Sequence, residues 1–348
     1  MESAAAAPPP PPPGSPQPDS AAPISPPTTF PPPPASSPPL SPSPDSSAAA
    51  EEDTFARGAG LNLHYVAQGA GPAMLLLHGF PDDHRAWRPL LPALSRRFRC
   101  IAPDLRGYTG SDKPRGIEHY RMDRLVADAV ALLDYLGQRD VILVGHDWGA
   151  AIAQQVALHH PGRVRQLVLL NMPHLAGLQR ELAINRRQQA ASWYARLFQD
   201  GLIERPLDWR ILWRQLRGGS PQGIAFNVLR RSSVAGLLDY YRANYPRPPY
   251  RFTEPGPEQH IRVPTLMVFG MDDPFVLPEC LDDNARCFPR GLTTVKVPRA
   301  GHWVHHDQPA TVARAILEFA RLVPSRGTPG EGEGEGRAAR AVELTIEN

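Results

Sequence analysis

Long apolar runs are missing from this sequence: none approaches the ~20 residues of a membrane-spanning helix, so no membrane span is expected. Neither sign of charge is in excess. Among 348 residues, 37 Lys and Arg face 35 Asp and Glu, leaving a net charge of +2. That balance gives no footing for nucleic acid or for an anionic surface. Cysteine is scarce. Cys100, Cys280 and Cys287 are odd in number and scattered in spacing, which argues against a disulfide framework and for reduced thiols in a cytoplasmic protein. Cys280 and Cys287 have no neighbouring ligand set, so no metal is expected. The first residues lack the basic region and apolar core of a secretory signal, and the Arg of a mitochondrial presequence.

What is plentiful is proline, and it is unevenly placed. Of 42 prolines, 19 fall in the first 50 residues, mixed with Ala and Ser and without Lys or Arg. Such a stretch buries too little apolar surface to offset the entropy of ordering. A disordered tail with polyproline II character is expected over residues 1–53. It reads as a plain linker, with recruitment of polyproline-binding modules as the other reading. Alternating Gly and Glu between Thr328 and Arg337 mark a second disordered tail over residues 324–348. Residues 54–323 have ordinary composition and are long enough for one α/β core with an inserted lid.

Within that block, short apolar runs alternate with amphipathic stretches. Met74–Leu77, Arg99–Pro103, Val141–Val144, Leu167–Leu170, Thr265–Phe269 and Thr293–Val297 read as strands buried on both faces, as a parallel sheet requires. Met122–Leu136, with Leu125, Ala129, Leu132 and Leu136 on one face, reads as a helix between strands. Ala150–His160 and Thr311–Leu322 do the same. The alternation predicts an α/β fold with a mostly parallel sheet flanked by helices. It breaks at about residues 173–263, which hold three of the six tryptophans, Trp193, Trp209 and Trp213. This stretch predicts a helical lid, placed beyond the carboxyl ends of the strands where ligands bind. Its tryptophans suggest an apolar pocket.

The sharpest local pattern is Val141–Val144, then Gly145-His146-Asp147-Trp148-Gly149, then Ala150-Ala151-Ile152. It reads as strand, tight turn, helix. The two glycines let backbones pass closely around a strained residue whose side chain stands proud of the sheet edge. The central residue of such an elbow is usually Ser; here it is Asp. A carboxylate is ionised at neutral pH and needs no base to attack. It suits displacement at a strained or activated sp³ carbon, giving an alkyl ester. Supporting groups follow other strands. The backbone N–H groups of Phe80, in Leu77-His78-Gly79-Phe80-Pro81, and of Trp148 would form an oxyanion hole. Gly301-His302 follows the last strand and supplies a base. Gly270-Met271-Asp272-Asp273-Pro274 supplies the acid that orients it: Asp273, with Asp272 as the alternative. The chain order is nucleophile, acid, histidine.

With these motifs in hand, the sequence resembles the α/β-hydrolase family of soluble epoxide hydrolases over roughly His64–Leu322. The resemblance rests on H-G-F-P at His78–Pro81, D-L-R-G-Y at Asp104–Tyr108, G-H-D-W-G at Gly145–Gly149 and G-H-W at Gly301–Trp303. It implies two lid tyrosines that protonate the epoxide oxygen. Trp193-Tyr194-Ala195-Arg196-Leu197-Phe198-Gln199 matches the first lid motif. Asp239-Tyr240-Tyr241-Arg242 matches the second, with Tyr240 where the family usually has Trp. The expected catalytic set is therefore Asp147, Asp273, His302, Tyr194 and Tyr241. His78, Pro81, Trp148 and Trp303 are expected to contact substrate. The implied reaction converts an apolar epoxide to a vicinal diol without a cofactor. A haloalkane or haloacid dehalogenase, which uses the same Asp nucleophile, is the alternative. It would need a second halide donor, and Phe80 offers none from its side chain.

Overall fold

The computed structural model describes residues 52–200, 224–322 and 342–345. Most of both expected tails, and the lid residues Trp209 and Trp213, lie outside the described residues. Strands run β1 (Glu52–Gly58), β2 (Leu61–Gln68), β3 (Ala73–Leu77), β4 (Arg99–Pro103), β5 (Val141–His146), β6 (Val164–Leu170), β7 (Thr265–Gly270), β8 (Leu292–Val297) and β9 (Val342–Thr345). They form one sheet in the order β1-β2-β4-β3-β5-β6-β7-β8-β9. β2 pairs antiparallel with β1 and with β4; every other pairing is parallel.

All five residues of β3 and all six of β5 are buried, so the sheet is covered on both faces, as the continuous apolar runs predict. Successive side chains point to opposite faces, and the core divides accordingly. Leu75, Leu77, Leu143, Leu167, Leu169, Met267 and Phe269 pack on one side. The helices there are α2 (Met122–Tyr135) and α3 (Trp148–His159). Met74, Leu76, Ile142, Val144, Val168, Leu170, Leu266 and Val268 pack on the other. That face meets α1 (Leu91–Leu94) and, near the carboxyl end, α10 (Pro309–Leu322), through Leu91, Leu94, Val312, Ile316 and Phe319. α2 buries Leu125, Ala129 and Leu132 as its periodicity predicts.

Between β6 and β7 the chain leaves the sheet to build the lid. It contributes α4 (Leu175–Ile184), α5 (Arg186–Ala191), α6 (Trp193–Gln199), α7 (Ile224–Arg231) and α8 (Val234–Asn244). Ser233 caps α8 by accepting from the Gly236 N–H. The Gln199 amide donates to the carbonyls of Tyr241 and Tyr245 and ties α6 to α8. A short turn, α9 (Val304–Asp307), precedes α10.

Two boundaries differ from expectation. The sheet begins at Glu52 rather than at residue 54, and the expected disordered tail over 324–348 contributes β9, paired with β8 from Thr293 to Lys296. A Val-Glu-Leu-Thr run has strand propensity, and without it β8 would be an unpaired edge. The composition of the Gly/Glu stretch before it does not extend to these residues. β1 and β2 are also additions to the expected strands. They form a hairpin, and β1 is exposed along most of its length, so its apolar signal is weak.

Candidate active site

Register brings the carboxyl ends of the central strands to one edge. Leu77 lies opposite Gly145, His146 opposite Leu170, Leu170 opposite Val268, and Gly270 opposite Val297. The loops that leave these ends carry Phe80, Asp147, Asn171, Asp273 and His302.

Asp147 joins β5 to α3 with φ 49° and ψ −119°, a conformation costing a non-glycine residue about 1–3 kcal/mol. Its surroundings enforce it. A Cβ on Gly149 would collide with the Leu77 carbonyl, and one on Gly79 with the Asp147 side chain. The carboxylate does not cap α3; it turns to the site instead. The Phe80 N–H donates to its Oδ1 at 2.8 Å. Its Oδ2 stands 3.5 Å from His302 Nε2. The Trp148 N–H begins α3 and so has no acceptor within the helix.

His302 is oriented from behind, its Nδ1 lying 2.7 Å from Asp273 Oδ2. Asp273 is itself pinned: Oδ1 accepts from the Phe275 and Val276 N–H groups at 2.8 and 3.0 Å, and Oδ2 from the Asn171 amide at 2.8 Å. Asp272 is exposed. Of the two acids left open by the sequence, Asp273 is the one that touches the histidine.

The two carboxylates and the imidazole perturb each other. Burial alone would push the His302 pKa down, but the charges and hydrogen bonds of Asp273 and Asp147 outweigh it and raise it to about 10. Burial pushes Asp147 up, yet His302 outweighs that and leaves Asp147 below the usual carboxylate range. The resting pair is imidazolium and carboxylate.

Above Asp147 the lid covers a pocket that is open to solvent on one side. Asp147 and Trp148 form its floor, with Met172, Leu178 and Val276 among the apolar walls and Tyr194 and Tyr241 on the lid side. The two phenol rings lie edge to face with centroids 5.9 Å apart, and Tyr241 stands 5.1 Å from the Trp148 ring. Burial raises both phenol pKa values well above 10, so both remain protonated donors. Tyr240, one position along α8, turns away and donates to the Arg106 carbonyl at 2.9 Å.

Three expected substrate contacts do not line this pocket. His78 is fully buried; its Nδ1 pairs with the Gly79 carbonyl and its Nε2 accepts from the Leu105 N–H at 3.0 Å. Those bonds commit the ring to fastening the loop after β3 to the loop after β4. Pro81 is buried in the same turn. Trp303 faces inward, and its indole N–H donates to Asp82 Oδ2 at 2.8 Å. Trp148 does line the pocket. Trp193 is half exposed and takes no part in the lining; the apolar walls come from Met, Leu and Val instead. Sequence reading missed Asn171, Met172 and Val276. Asn171 carries a signal in retrospect: it directly follows β6, as the other site residues follow their strands.

Among the described residues, two groups come close enough to share a cation, His64–His84–Asp104 and Asp82–His146–His305. Both lie outside the pocket lining. The imidazoles of the first already bond its carboxylate at 2.8 Å.

A carboxylate on a strained elbow, with an Asp-His pair beside it and a helical lid above an eight-strand core sheet extended by β9, defines an α/β-hydrolase. Residues 72–205 match the family model for the alpha/beta hydrolase fold. Epoxide hydrolase 3 of Xenopus tropicalis is 33% identical over 285 residues, covering 76% of this chain and 76% of that protein. Among solved structures, an epoxide hydrolase from metagenomes of hot environments is 34% identical with a TM-score of 0.69, covering 77% of this chain and 99% of that one. The epoxide hydrolase of Bacillus megaterium is 32% identical with a TM-score of 0.69, covering 77% and 100%. The chain belongs to the epoxide hydrolase family of the α/β-hydrolase fold.

Proposed function

We propose that the protein opens an apolar epoxide to a vicinal diol in two steps, with an alkyl ester on Asp147 between them. The observation that carries this reading is one pocket lined by a carboxylate on its floor and two protonated phenols on its lid side. In the first step Asp147 attacks an epoxide carbon, the C–O bond breaks, and Tyr194 and Tyr241 hydrogen-bond the ring oxygen and deliver a proton to it. In the second, His302, held by Asp273, takes a proton from water as the water attacks the Asp147 carbonyl. The Phe80 and Trp148 N–H groups hold the oxyanion; its collapse expels the diol, whose second oxygen comes from Asp147 and takes a proton from the His302 imidazolium, and the Asp147 carboxyl group gives up its remaining proton to His302.

The electrostatics support this division. Imidazolium cannot act as a base, and the resting His302 is protonated because two carboxylates face it. Esterification neutralises Asp147, removes one of those charges and lowers the His302 pKa, so that His302 gives up its proton, which restores the tyrosine phenol that protonated the ring oxygen. The base is thus released when it is needed. A halide cradle calls for two N–H donors rather than a phenol pair, so the tyrosines favour the epoxide over the dehalogenase.

Single turnover in ¹⁸O-labelled water tests the pathway: label should enter the Asp147 carboxylate. Y241F and Y194F should each lower kcat/KM by about 10²–10⁴, with a smaller loss signalling that the remaining phenol suffices. An unlabelled Asp147 after turnover would exclude the ester. Among the described residues no helix is long and apolar enough to cross a membrane. Cys100, Cys280 and Cys287 are buried free thiols, which supports a reducing, cytoplasmic setting.

A further inference from the structure

Three separate loops must align for His302 to direct water at the ester: the β3 loop with Phe80, the elbow with Asp147, and the β8 loop with His302. Two buried hydrogen bonds join them from behind. The Trp303 indole N–H donates to Asp82 Oδ2 at 2.8 Å across 221 residues of sequence. His146 Nε2, next to the nucleophile, pairs with the His302 carbonyl at 2.9 Å. Asp82 and His146 are fully buried, and neither they nor Trp303 line the pocket. The Trp303 indole stands at 88° to the His302 imidazole with centroids 5.0 Å apart, so it forms one wall of the histidine's seat. Phe275 forms another, at 5.4 Å.

A carboxyl group without contact to solvent is unfavourable unless its bonds are needed. Burial pushes the Asp82 pKa up to about 7, while the Trp303 bond partly offsets the rise. Asp82 sits two residues after Phe80, so whatever holds Trp303 also registers the oxyanion donor against the base.

We propose that Asp82 is a positioning residue for ester hydrolysis: it fixes the Trp303 indole, which together with the His146–His302 bond aligns the His302 imidazole for water activation. The inference rests on the ester pathway proposed above. Attack by Asp147 on the epoxide does not use His302 as a base, so this brace acts on the second step and leaves the first unchanged.

The test is rapid-quench single turnover of the full-length chain, with the alkyl-enzyme followed by intact mass. W303F removes the donor and trims the ring, and D82L removes the acceptor. Both should accumulate alkyl-enzyme, with hydrolysis slowed about 10- to 100-fold, the scale of a small misplacement. Alkylation should hold at the wild-type rate, so kcat and KM fall together and kcat/KM stays. D82N keeps an acceptor oxygen and should restore hydrolysis. The double variant D82L/W303F should be no slower than either single one, because both break one bond. The proposal is overturned by wild-type hydrolysis in W303F and D82L, by equal slowing of both steps, or by additive effects. Should D82L fail to fold, W303F and D82N still decide. Loss of the underlying ester reading looks different: no mass adduct would form even in H302Q, where hydrolysis is blocked.

Discussion

In the proposed pathway Asp147 changes charge during turnover, and His302 is the residue that registers the change. With both carboxylates ionised, the imidazole is raised to about 10. Removing one negative charge at 3.5 Å must lower that value, because an opposite charge favours the protonated form. D147N imitates the ester's loss of charge while keeping the side-chain shape. Its His302 should titrate below the wild-type histidine, as read from ring-proton shifts by NMR. An unchanged or higher value would mean that Asp273 alone sets it. The roles at this scale were unevenly legible. The elbow is a local pattern, fixed by two glycines within five residues, and it is fully readable. Asp272 and Asp273 are adjacent in one loop. The fold of that loop, which turns the Phe275 and Val276 N–H groups onto Asp273, and the distant Asn171 amide decide which turns inward. His78 and Trp303 adjoin site residues in sequence but point behind the site, because neighbours in a loop face different ways.

Strand β4 ends in a second polar centre that secures the elements beneath the site. Asp104 Oδ2 accepts from His64 Nδ1 of β2 at 2.8 Å and from the Gly110 N–H at 2.9 Å. Its Oδ1 accepts from the His84 N–H at 3.0 Å and from His84 Nδ1 at 2.8 Å. Burial pushes this carboxyl upward, but the His64 and His84 bonds outweigh it and hold it far below the usual range. His64 is raised, chiefly by Asp104 against the opposing effect of burial. The stability owed to Asp104 is therefore present above the ordinary carboxylate pKa and is lost as pH falls through the lower folded value. That owed to His64 is present below the ordinary imidazole pKa and is lost as pH rises through its higher folded value. D104N should cost about 3–5 kcal/mol near neutral pH, and thermal unfolding across pH 4–8 should show the gap from wild type narrowing at the alkaline end. A constant gap would assign the loss to packing alone. The sequence announced β4 as a strand through its apolar run, yet not this centre. Its members come from separate segments, and only the antiparallel β2–β4 register brings His64 beside Asp104.

At the scale of the whole molecule, the proposed catalytic groups lie between Phe80 and His302, while the sheet that holds them begins at Glu52. Composition set the start of the globular block at residue 54, because loss of apolar content is a property of a window rather than of a contact. The first strand begins at Glu52, and being mostly exposed it carries little apolar signal. That difference of boundary has a measurable consequence. Deleting residues 1–51 keeps all seven β1–β2 pairs and the Asp53–His64 bond of 2.7 Å. Both kcat/KM and the melting temperature should stay at full-length values. Deleting residues 1–60 removes β1, uncovers the edge of β2 and takes away Ala56, which is buried against the core. It also takes away Gly58, whose backbone lies close against Ala131 of α2. The melting temperature should then fall by about 5–10 °C, while kcat/KM measured well below that temperature changes little, because no residue of β1 lines the pocket. A loss of activity in the shorter deletion would give the first 51 residues a part in catalysis that the site's own chemistry does not require.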